Sequence, residues 1–535
     1  MKKKKVLIIV MISVLLILSI VGISYALWTL NLTQTSENDI ASTCFNISFT
    51  EKDNISLQKS YPLYDADGKK LTPYEFTITN NCDSYASYAV NLEVLNTTTL
   101  TNNEAIKVMF SEKEENGENE LKLDLLSNYE TVTKTLNNTI TAFKLIEGYL
   151  EAKESRTYDL RLWLDENVTT ETVNIQNTTF NSKVVVTASY VKEIPYATNV
   201  ISKLAKDADS SSTDVYTVPD KTSDSCTYTL AYDGTSDNNL RYVGANPCNY
   251  VKVDGEYWRI IGVMNNIDDG TGKKESRIKL IRDESIGSYS WDTSDSSVNS
   301  GYGVNEWSQA DLMKLLNPGY ESESVGGSLY YNDKSGECYN GEANSSVSCD
   351  FVSNGLKTNL KYFLGNTLWN TGSNGTNSYN SSSDGLTLNF YDYERSNDTG
   401  KICTSGNYCN DTEERKTIWK GKVGLMYLSD YGYATSGGSG MSRINCLNKE
   451  LHSWNTMNEC STNNWLYVSG AYQWTLSIAA DSSAAYYAFY ISDAAHIYGN
   501  YVYRVGRIRP SVYILSKAMI LRGEGTKENP YELSL

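Results

Sequence analysis

The chain has 535 residues, of which 40% are hydrophobic and 21% are charged, and its formal net charge is −17. This length exceeds one ordinary domain, and the hydrophobic content with only 8 prolines excludes wholesale disorder. The excess of negative charge disfavours contact with phosphate backbones, so we expect no nucleic-acid partner.

The N-terminus combines a cluster of positive charge with a long apolar run. Lysines occupy positions 2–5, and residues 6–28 follow without a charged side chain. This run is long enough to span a bilayer, whereas residues 24–26 (SYA) also fit a signal-peptide cleavage site. We therefore predict that residues 1–29 are a signal peptide or membrane anchor, with membrane contact through residues 6–28. Both alternatives predict an extracytoplasmic protein that is anchored in the cell membrane or secreted.

Ten cysteines, an even number, follow the apolar run. In an exported chain disulfides are the default, and these cysteines fall into successive pairs, each within one region. We predict pairing between neighbours: Cys44–Cys82, Cys226–Cys248, Cys338–Cys349, Cys403–Cys409 and Cys446–Cys460.

The sequence contains only weak patterns of metal-binding residues. The chain has no C-x-x-C motif and no histidine at ligand spacing, so the cysteines do not predict a zinc site. Residues 65–70 (DADGKK) resemble half an EF-hand loop, but the glutamate of its twelfth position is missing, and we expect a β-turn there. No metal and no cofactor are predicted.

Alternation of apolar and polar residues dominates residues 30–195. It recurs in the stretches YEFTITNN, AIKVMF, YAVNLEV, TYDLRLWL and SKVVVTASYV. Period-two alternation between turn-forming residues is typical of half-buried strands, and many such strands without helices predict a two-sheet β-sandwich. Residues 196–225 predict a short helix, capped by Thr198 or Asn199, and a polar linker.

Residues 226–522 mix strand, helix and loop patterns and hold eight of the ten tryptophans. Asp254-Gly255, between two alternating runs, predicts a hairpin. Ser308 begins a capping-box pattern that predicts a helix ending at Pro318-Gly319, and residues 356–369 predict a second helix. Residues 420–434 are interpreted as strand. Few helices among many strands favour an α+β domain, followed by a C-terminal tail at 523–535.

The exported head, through SYALW, and the first β-region resemble the camelysin and TasA-type secreted proteins of Gram-positive bacteria. The resemblance rests on YPLYDADGKKLTPYEFTITN, YAVNLEV and GYLEAKESRTYDLRLWLDE and covers residues 31–195. It implies a jelly-roll sandwich of the kind found in cell-surface fibres and matrices.

The second region resembles a module common in exported proteins of gut Gram-positive bacteria. The matching stretches include NYVKVDGEYWRIIGV, WSQADLMKLLN, GKVGLMYLSDYGYA, GRIRPSVYI and GEGTKENPYEL. Its layout is similar to C-type-lectin-like folds, including the formylglycine-generating and retroelement-diversified branches, which implies a fold and not a function. The calcium-loop signatures of lectins and the paired cysteine site of formylglycine-generating enzymes have no match here.

The predicted fold class is therefore mainly β. It comprises an N-terminal transmembrane or signal helix, a jelly-roll-like β-sandwich, and an α+β C-type-lectin-like domain.

Catalytic constellations are sparse. A serine or cysteine nucleophile usually needs a histidine base, and the chain has only His452 and His496, without a partner at a recognisable spacing. Acids such as Asp283, Glu284 and Asp430 are candidates for glycoside hydrolysis, but solvated loop charges explain them equally well. We predict that the protein is not an enzyme.

Aromatic and small polar residues are densest in residues 486–510 (YYAFYISDAAHIYGNYVYRVGRIRP). Rigid aromatic area beside small polar groups is typical of recognition surfaces, although secreted loops without function have a similar composition. Gly499-Asn500 is interpreted as the tip of a hairpin. The predicted binding residues are Trp465, Tyr467, Trp474, His496, Tyr498 and Tyr501.

The main functional hypothesis is a non-enzymatic cell-surface or secreted protein that presents an adhesion or recognition module for an extracellular glycan or for a host or matrix protein. One alternative is a structural matrix or fibre protein of the camelysin/TasA type. Another is a formylglycine-generating-like or hydrolytic enzyme. The stretch 486–503 also resembles the variable region of retroelement-diversified proteins, which leaves diversification of this surface open.

Overall fold

The structure is a computed structural model that describes residues 29–33, 45–49, 55–58, 61–114, 117–136, 138–168, 178–294, 302–372, 384–396, 416–479 and 486–535. The chain divides into two compact units, residues 1–194 and 195–535. The predicted N-terminal helix lies outside the described residues. In the described ranges, no helix is both long and apolar enough to cross a membrane.

In its described residues, the first unit contains two six-stranded sheets. Its strands are β1 (Thr29–Thr33), β2 (Phe45–Phe49), β3 (Ile55–Gln58), β4 (Pro62–Leu63), β5 (Tyr74–Asn80), β6 (Tyr85–Val94), β7 (Ile106–Glu114), β8 (Gly117–Leu125), β9 (Thr131–Leu136), β10 (Asn138–Leu150), β11 (Ser155–Asp165) and β12 (Thr179–Val191). One sheet has the order β1-β12-β6-β10-β9 with β3 beside β12, and the other has β2-β5-β11-β7-β8 with β4 beside β11. A short helix, α1 (Asp65–Gly68), and 3₁₀ helices at Asn103–Ala105 and Leu126–Asn128 lie in the connections.

The alternating side chains of both sheets form one hydrophobic core. Val90 and Leu92 of β6 and Leu160 of β11 are buried in it, and the hydroxyls of Tyr88 and Tyr158 are hydrogen-bonded between the two sheets. Burial of such a side chain contributes about 1.5–3 kcal/mol. Two sheets that share one core have the layers of a sandwich, which is what the alternation predicts.

The β-turn predicted at residues 65–70 is wrong. Asp65–Gly68 forms one helical turn, in which the Tyr64 carbonyl accepts hydrogen bonds from the amides of Asp67 and Gly68. A Cβ on Gly68 would lie 2.3 Å from the Trp163 ring. The glycine therefore lets this turn pack closely against the indole, a tertiary contact that the local sequence pattern does not reveal.

The second unit contains larger and smaller sheets with short helices. Its strands are β13 (Tyr216–Thr217), β14 (Thr229–Tyr232), β15 (Leu240–Tyr242), β16 (Tyr250–Val253), β17 (Glu256–Asp268), β18 (Lys274–Arg282), β19 (Ser288–Ser290), β20 (Ser335–Tyr339), β21 (Ser346–Asp350), β22 (Thr367–Asn370), β23 (Ile418–Gly421), β24 (Val423–Gly424), β25 (Gln473–Ile478), β26 (Tyr487–Ile491), β27 (Ile497–Tyr501), β28 (Val505–Arg507), β29 (Ser511–Tyr513), β30 (Met519–Arg522) and β31 (Glu532–Ser534). Its helices are α2 (Ala197–Leu204), α3 (Asp311–Leu316), α4 (Thr358–Tyr362), α5 (Thr387–Glu394), α6 (Leu428–Tyr433), α7 (Arg443–Leu447) and α8 (Asn458–Thr462), with 3₁₀ helices at Trp307–Gln309 and Leu451–Thr456.

Two sheets organise this unit. One has eight strands in the order β13-β14-β15-β17-β18-β29-β24, with β16 beside β17, and the other has five in the order β19-β28-β25-β26-β27. The pairs β20-β21, β22-β23 and β30-β31 form separate two-stranded sheets. Strands outnumber helices in both units, so the prediction of a mainly β fold is confirmed.

The hairpin predicted at Asp254-Gly255 is confirmed. These residues connect β16 to β17 and have φ values of 48° and 81°. Two consecutive residues with positive φ match the right-handed twist of the strands, and glycine adopts this conformation without steric cost.

Helix extents were predicted less well. The helix placed at Ser308 begins at Asp311, because Ala310 is extended and separates it from the 3₁₀ turn at Trp307–Gln309. The helix predicted for 356–369 is limited to α4, and β22 follows. Part of the strand predicted for 420–434 is instead helix α6.

The disulfides in the described ranges pair as predicted. Cys226–Cys248, Cys338–Cys349 and Cys446–Cys460 are bonded. Cys82 is also disulfide-bonded, whereas Cys44 and the predicted pair Cys403–Cys409 lie outside the described residues. Stable disulfides are consistent with an oxidising, extracytoplasmic compartment.

A candidate aromatic binding groove

Three neighbouring strands of the five-stranded sheet carry aromatic side chains directly opposite one another. Trp474 on β25 pairs with Tyr490 on β26, and Tyr490 pairs with Tyr498 on β27. The ring centroids are 5.8 Å apart for Trp474 and Tyr490 and 6.3 Å apart for Tyr490 and Tyr498. Aromatic cross-strand pairs of this kind stabilise a sheet and hold the rings in fixed positions.

Further rings pack against this line. The ring centroid of Tyr472 lies 5.2 Å from that of Tyr490. The ring centroids of His452 and His496 lie 5.7 Å and 5.6 Å from that of Tyr498. We call these six residues the aromatic row: Tyr472, Trp474, Tyr490, Tyr498, His452 and His496. Tyr472 and Tyr498 are the most accessible of its tyrosines, with 48% and 44% of their surface exposed.

An open groove of about 890 Å³ lies over one end of the aromatic row. Trp474, Tyr472 and Tyr490 line it from the sheet. The tip of the β20–β21 hairpin, with Glu342 and Ser345, forms one side, and residues 503–506 form another. The groove thus combines aromatic faces with polar and charged groups at its rim.

The hairpin wall of the groove is held in several places. The Cys338–Cys349 disulfide joins β20 to β21. At the tip, the Gly341 amide donates a hydrogen bond of 2.8 Å to Ser290 Oγ, and Asn344 Oδ1 lies 3.1 Å from the Thr293 hydroxyl. These contacts attach the tip to the body of the second unit.

Gly506 allows the indole of Trp474 to lie close to β28. A Cβ at position 506 would lie 2.8 Å from Trp474 Cδ1 and 2.9 Å from Nε1. A glycine inside a strand often marks such a close approach. Trp474 is 2% exposed, and its Nε1 has no hydrogen-bond partner within the described part of the chain. Trp474 therefore forms the floor of the groove.

The turn between β26 and β27 was predicted at Gly499-Asn500. This prediction is wrong, because both residues belong to β27. The turn spans Ser492 to His496. The Ser492 amide donates a hydrogen bond of 2.8 Å to the His496 carbonyl, and Ala495 has a φ of 69°. This register is what places Tyr490 opposite Tyr498.

Tyr501, another predicted binding residue, belongs to a different cluster. Successive side chains of a strand alternate between the two faces, so Tyr501 points away from Tyr498. Its ring stacks on Tyr486, with centroids 5.2 Å apart and planes at 10°, and it also packs on Tyr487 and Tyr503.

Trp465 and Tyr467 lie apart from the groove. Trp465 is 5% exposed, and its Nε1 donates a hydrogen bond to the Tyr242 carbonyl. The Arg259 guanidinium lies 4.6 Å from its ring centroid. The Tyr467 hydroxyl donates to the Asp493 carbonyl at 2.6 Å. These contacts within the chain indicate that both residues have a structural role.

The groove contains residues that the sequence interpretation missed, namely Tyr472, Tyr490, Glu342 and Arg504. Tyr490 lies in the stretch 486–510, but its place in the row depends on the turn position. Glu342 comes from a hairpin more than a hundred residues earlier in the chain. Only the alternation of aromatic and small residues along 487–501 gives a local signal.

Asp430, considered as a hydrolytic acid, is buried and paired with two cations. Lys279 Nζ lies 2.6 Å from its Oδ2 and Arg241 Nη1 lies 2.7 Å from its Oδ1. Burial alone would raise the pKa of Asp430, but the two positive charges outweigh it and hold the pKa at about 2. This carboxylate stays ionised and stabilises the core, with no access to a substrate.

Asp65, Asp165 and Glu166 form an acidic cluster in the described part of the first unit, with carboxylate oxygens within 4.8 Å of one another. The ammonium of Lys107 lies 3.4 Å from Asp65 and 3.3 Å from Asp165. A cation from the chain itself therefore offsets part of the charge of this cluster.

The two histidines of the row predict a pH dependence of stability. Burial lowers the pKa of His452 and His496 from the ordinary value of 6.5, and His452 lowers that of His496 further. Folded imidazoles then stay neutral where unfolded ones bind protons. We expect the melting temperature to fall as the pH drops below about 6.5. In the double variant His452→Gln/His496→Gln, the melting temperature should fall less between about pH 7 and about pH 5, an interval that brackets the ordinary pKa of histidine. An identical fall in the unaltered protein and in the double variant would contradict the prediction.

No family model matches the chain, and no curated protein matches it. Among solved structures, the chain is similar to AvmM, described as catalysing macrocyclization in alchivemycin A biosynthesis, at 11% identity and a TM-score of 0.17 over 28% of this chain and 76% of that one. It is also similar to the VP2 subviral particle of infectious bursal disease virus, at 8% identity and a TM-score of 0.15 over 30% of this chain. The chain spans 33% of the length of that viral protein. Neither likeness carries an argument about fold or function.

Proposed function

We propose that the second unit is the glycan-binding module of an exported, non-enzymatic protein, and that the groove over the aromatic row holds the sugar. The observation that carries the proposal is the combination of Tyr472, Trp474 and Tyr490 with the polar rim residues Glu342 and Arg504 in one open groove. Sugar rings present apolar C–H faces that pack on aromatic rings, and hydroxyls that bond to polar groups around the edge.

The size of the groove favours a glycan over a protein partner. Its volume of about 890 Å³ lies within the range of about 300–1,000 Å³ that is usual for small-ligand sites. A stable protein interface needs about 800 Å² of surface from each partner. A groove with one narrow aromatic floor fits a short oligosaccharide better than a broad protein surface.

Export supports this function. The disulfides Cys226–Cys248, Cys338–Cys349 and Cys446–Cys460 are consistent with an oxidising compartment. The lysines at 2–5 and the apolar residues 6–28 have the composition of a signal peptide or anchor. An exported glycan-binding unit would meet its ligands on cell surfaces or in the extracellular matrix.

The test is a glycan array with the full-length protein, followed by titration of the best ligand against Tyr472→Ala. Tyr472 is 48% exposed, so its truncation should leave the fold intact. We expect affinity to fall about 10- to 30-fold, as for an aromatic residue that makes a large contribution to a binding site.

Tyr85→Ala provides a matched control, because Tyr85 is 38% exposed and lies in the first unit. Its affinity should equal that of the unaltered protein. Binding that survives Tyr472→Ala unchanged, or an array on which the protein binds no glycan, would refute the proposed function.

A further inference from the structure

We propose that the groove prefers glycans that carry a carboxylate, such as uronic or sialic acids, and that Arg504 binds this carboxylate. The inference rests on the proposed glycan-binding function and adds the chemical class of the sugar. Arg504 lies at the rim of the groove, between β27 and β28.

Arg504 is exposed and has no carboxylate within 4.0 Å among the residues that the structure describes. Many other arginines in those ranges are ion-paired, including Arg241, Arg282 and Arg395. In a chain with a net charge of −17, an unpaired guanidinium at the rim of an aromatic groove is available for an acidic ligand. A carboxylate on the ligand would supply the missing counter-charge.

The neighbouring ring holds the guanidinium in place. Arg504 Cζ lies 5.0 Å from the centroid of Tyr503, which is 6% exposed and itself lines the groove. The Arg504 amide donates a hydrogen bond to the Tyr501 carbonyl, which fixes the backbone at this point. A guanidinium that rests on a ring keeps its N–H groups free to donate two parallel hydrogen bonds to a carboxylate.

Glu342 gives the groove a second charge of opposite sign. It lies on the tip of the β20–β21 hairpin and lines the same groove. Burial raises the pKa of the Tyr503 hydroxyl. The positive charge of Arg504 lowers this pKa and the negative charge of Glu342 raises it, so both charges act on one ring. A sugar carboxylate is therefore attracted to Arg504 and repelled by Glu342, which fixes the orientation of the ligand.

The probes are matched pairs of oligosaccharides, namely oligogalacturonate, hyaluronan fragments and sialyllactose, each with its methyl ester. Esterification removes the charge and keeps the ring. The full-length protein should bind the acid of at least one pair about two- to fivefold more tightly than its ester, as expected for an ion pair that is exposed to water. Because the interaction is exposed, the preference should shrink as the salt concentration rises.

Variants of the two charges should act in opposite directions. Arg504→Gln should abolish the preference, so that acid and ester bind equally, whereas Arg504→Lys should retain part of it. Glu342→Gln should strengthen binding of the acid about two- to fivefold, as expected when a like charge is removed at a rim. Both side chains are exposed, so melting temperatures should not change.

The outcomes separate the two proposals. If the unaltered protein binds acid and ester equally, or if Arg504→Gln keeps the preference, the carboxylate inference is wrong while glycan binding stands. If the protein binds no member of any pair, the inference is also overturned. The glycan array then decides whether the proposed function survives with a neutral ligand.

Discussion

Replacing Lys279 by methionine is expected to lower the free energy of unfolding of the second unit by about 3–5 kcal/mol. Lys279 is completely buried, and its Nζ lies 2.6 Å from Asp430 Oδ2. Without the ammonium, the buried carboxylate keeps one ion pair in the described residues, with Arg241, which also pairs with Asp233. Urea unfolding followed by tryptophan fluorescence measures the loss, because several buried tryptophans report on this core.

The double variant Lys279→Met/Asp430→Asn separates a lost charge balance from lost packing. Removing both charges leaves Arg241 paired with Asp233, and the asparagine oxygen still accepts the Tyr427 amide, as the carboxylate does in helix α6. We expect the double variant to be more stable than Lys279→Met alone, because no uncompensated charge remains in the core.

An exposed ion pair serves as the control for the effect of burial on stability. Arg522 and Glu532 lie 2.6 Å apart, with 51% and 48% of their side chains exposed. Arg522→Met should change the stability by less than about 1 kcal/mol, because water screens the pair. If Lys279→Met costs no more than Arg522→Met, the buried ion pair of Lys279 and Asp430 does not stabilise the fold.

The sequence predicted those features of the fold that depend on neighbouring residues. Alternating apolar residues indicated the strands, and Asp254-Gly255 indicated a hairpin, because strand periodicity and turn conformation are local properties. Cysteine order sufficed for the pairs Cys226–Cys248, Cys338–Cys349 and Cys446–Cys460, whose loops are short. These predictions needed no knowledge of distant contacts.

Helix α6 shows where local patterns fail. Residues 428–433 (LSDYGY) have no strong helical signal, yet they form a helix whose Asp430 carboxylate accepts the Tyr427 amide. That carboxylate is held by Lys279 and Arg241, which lie on strands β18 and β15. The decisive contacts join residues more than 150 positions apart, so a window of sequence cannot reveal them.

The candidate site was predicted only in part for the same reason. Composition singled out Trp474, His496 and Tyr498, all of which belong to the aromatic row. It did not reveal which rings share a face, because the turn was placed at Gly499-Asn500 and not at 492–496. The wall with Glu342 was missed entirely, since its position follows from tertiary packing.

Removing the Cys338–Cys349 disulfide by paired alanine substitution is expected to weaken glycan binding about tenfold or more, because affinity falls with the fraction of molecules that keep the binding-competent form. The strands β20 and β21 form a two-stranded sheet without a third strand in the described residues, and isolated hairpins are marginally stable. A disulfide that closes a loop of this size contributes about 3 kcal/mol. Without it, the hairpin that carries Glu342 and Ser345 should open, and the groove should lose one wall.

The variant Cys226→Ala/Cys248→Ala is the matched control. Its disulfide spans 22 residues against 11 for Cys338–Cys349, so its removal should destabilise the unit by a similar amount of about 3 kcal/mol. Neither cysteine lines the groove, so binding below the melting temperature should stay close to that of the unaltered protein. Isothermal titration with the best glycan and thermal melts of both variants give the two quantities. An equal loss of affinity in both variants would mean that global stability, and not the hairpin wall, controls binding, and the assignment of Glu342 and Ser345 to the site would then be wrong.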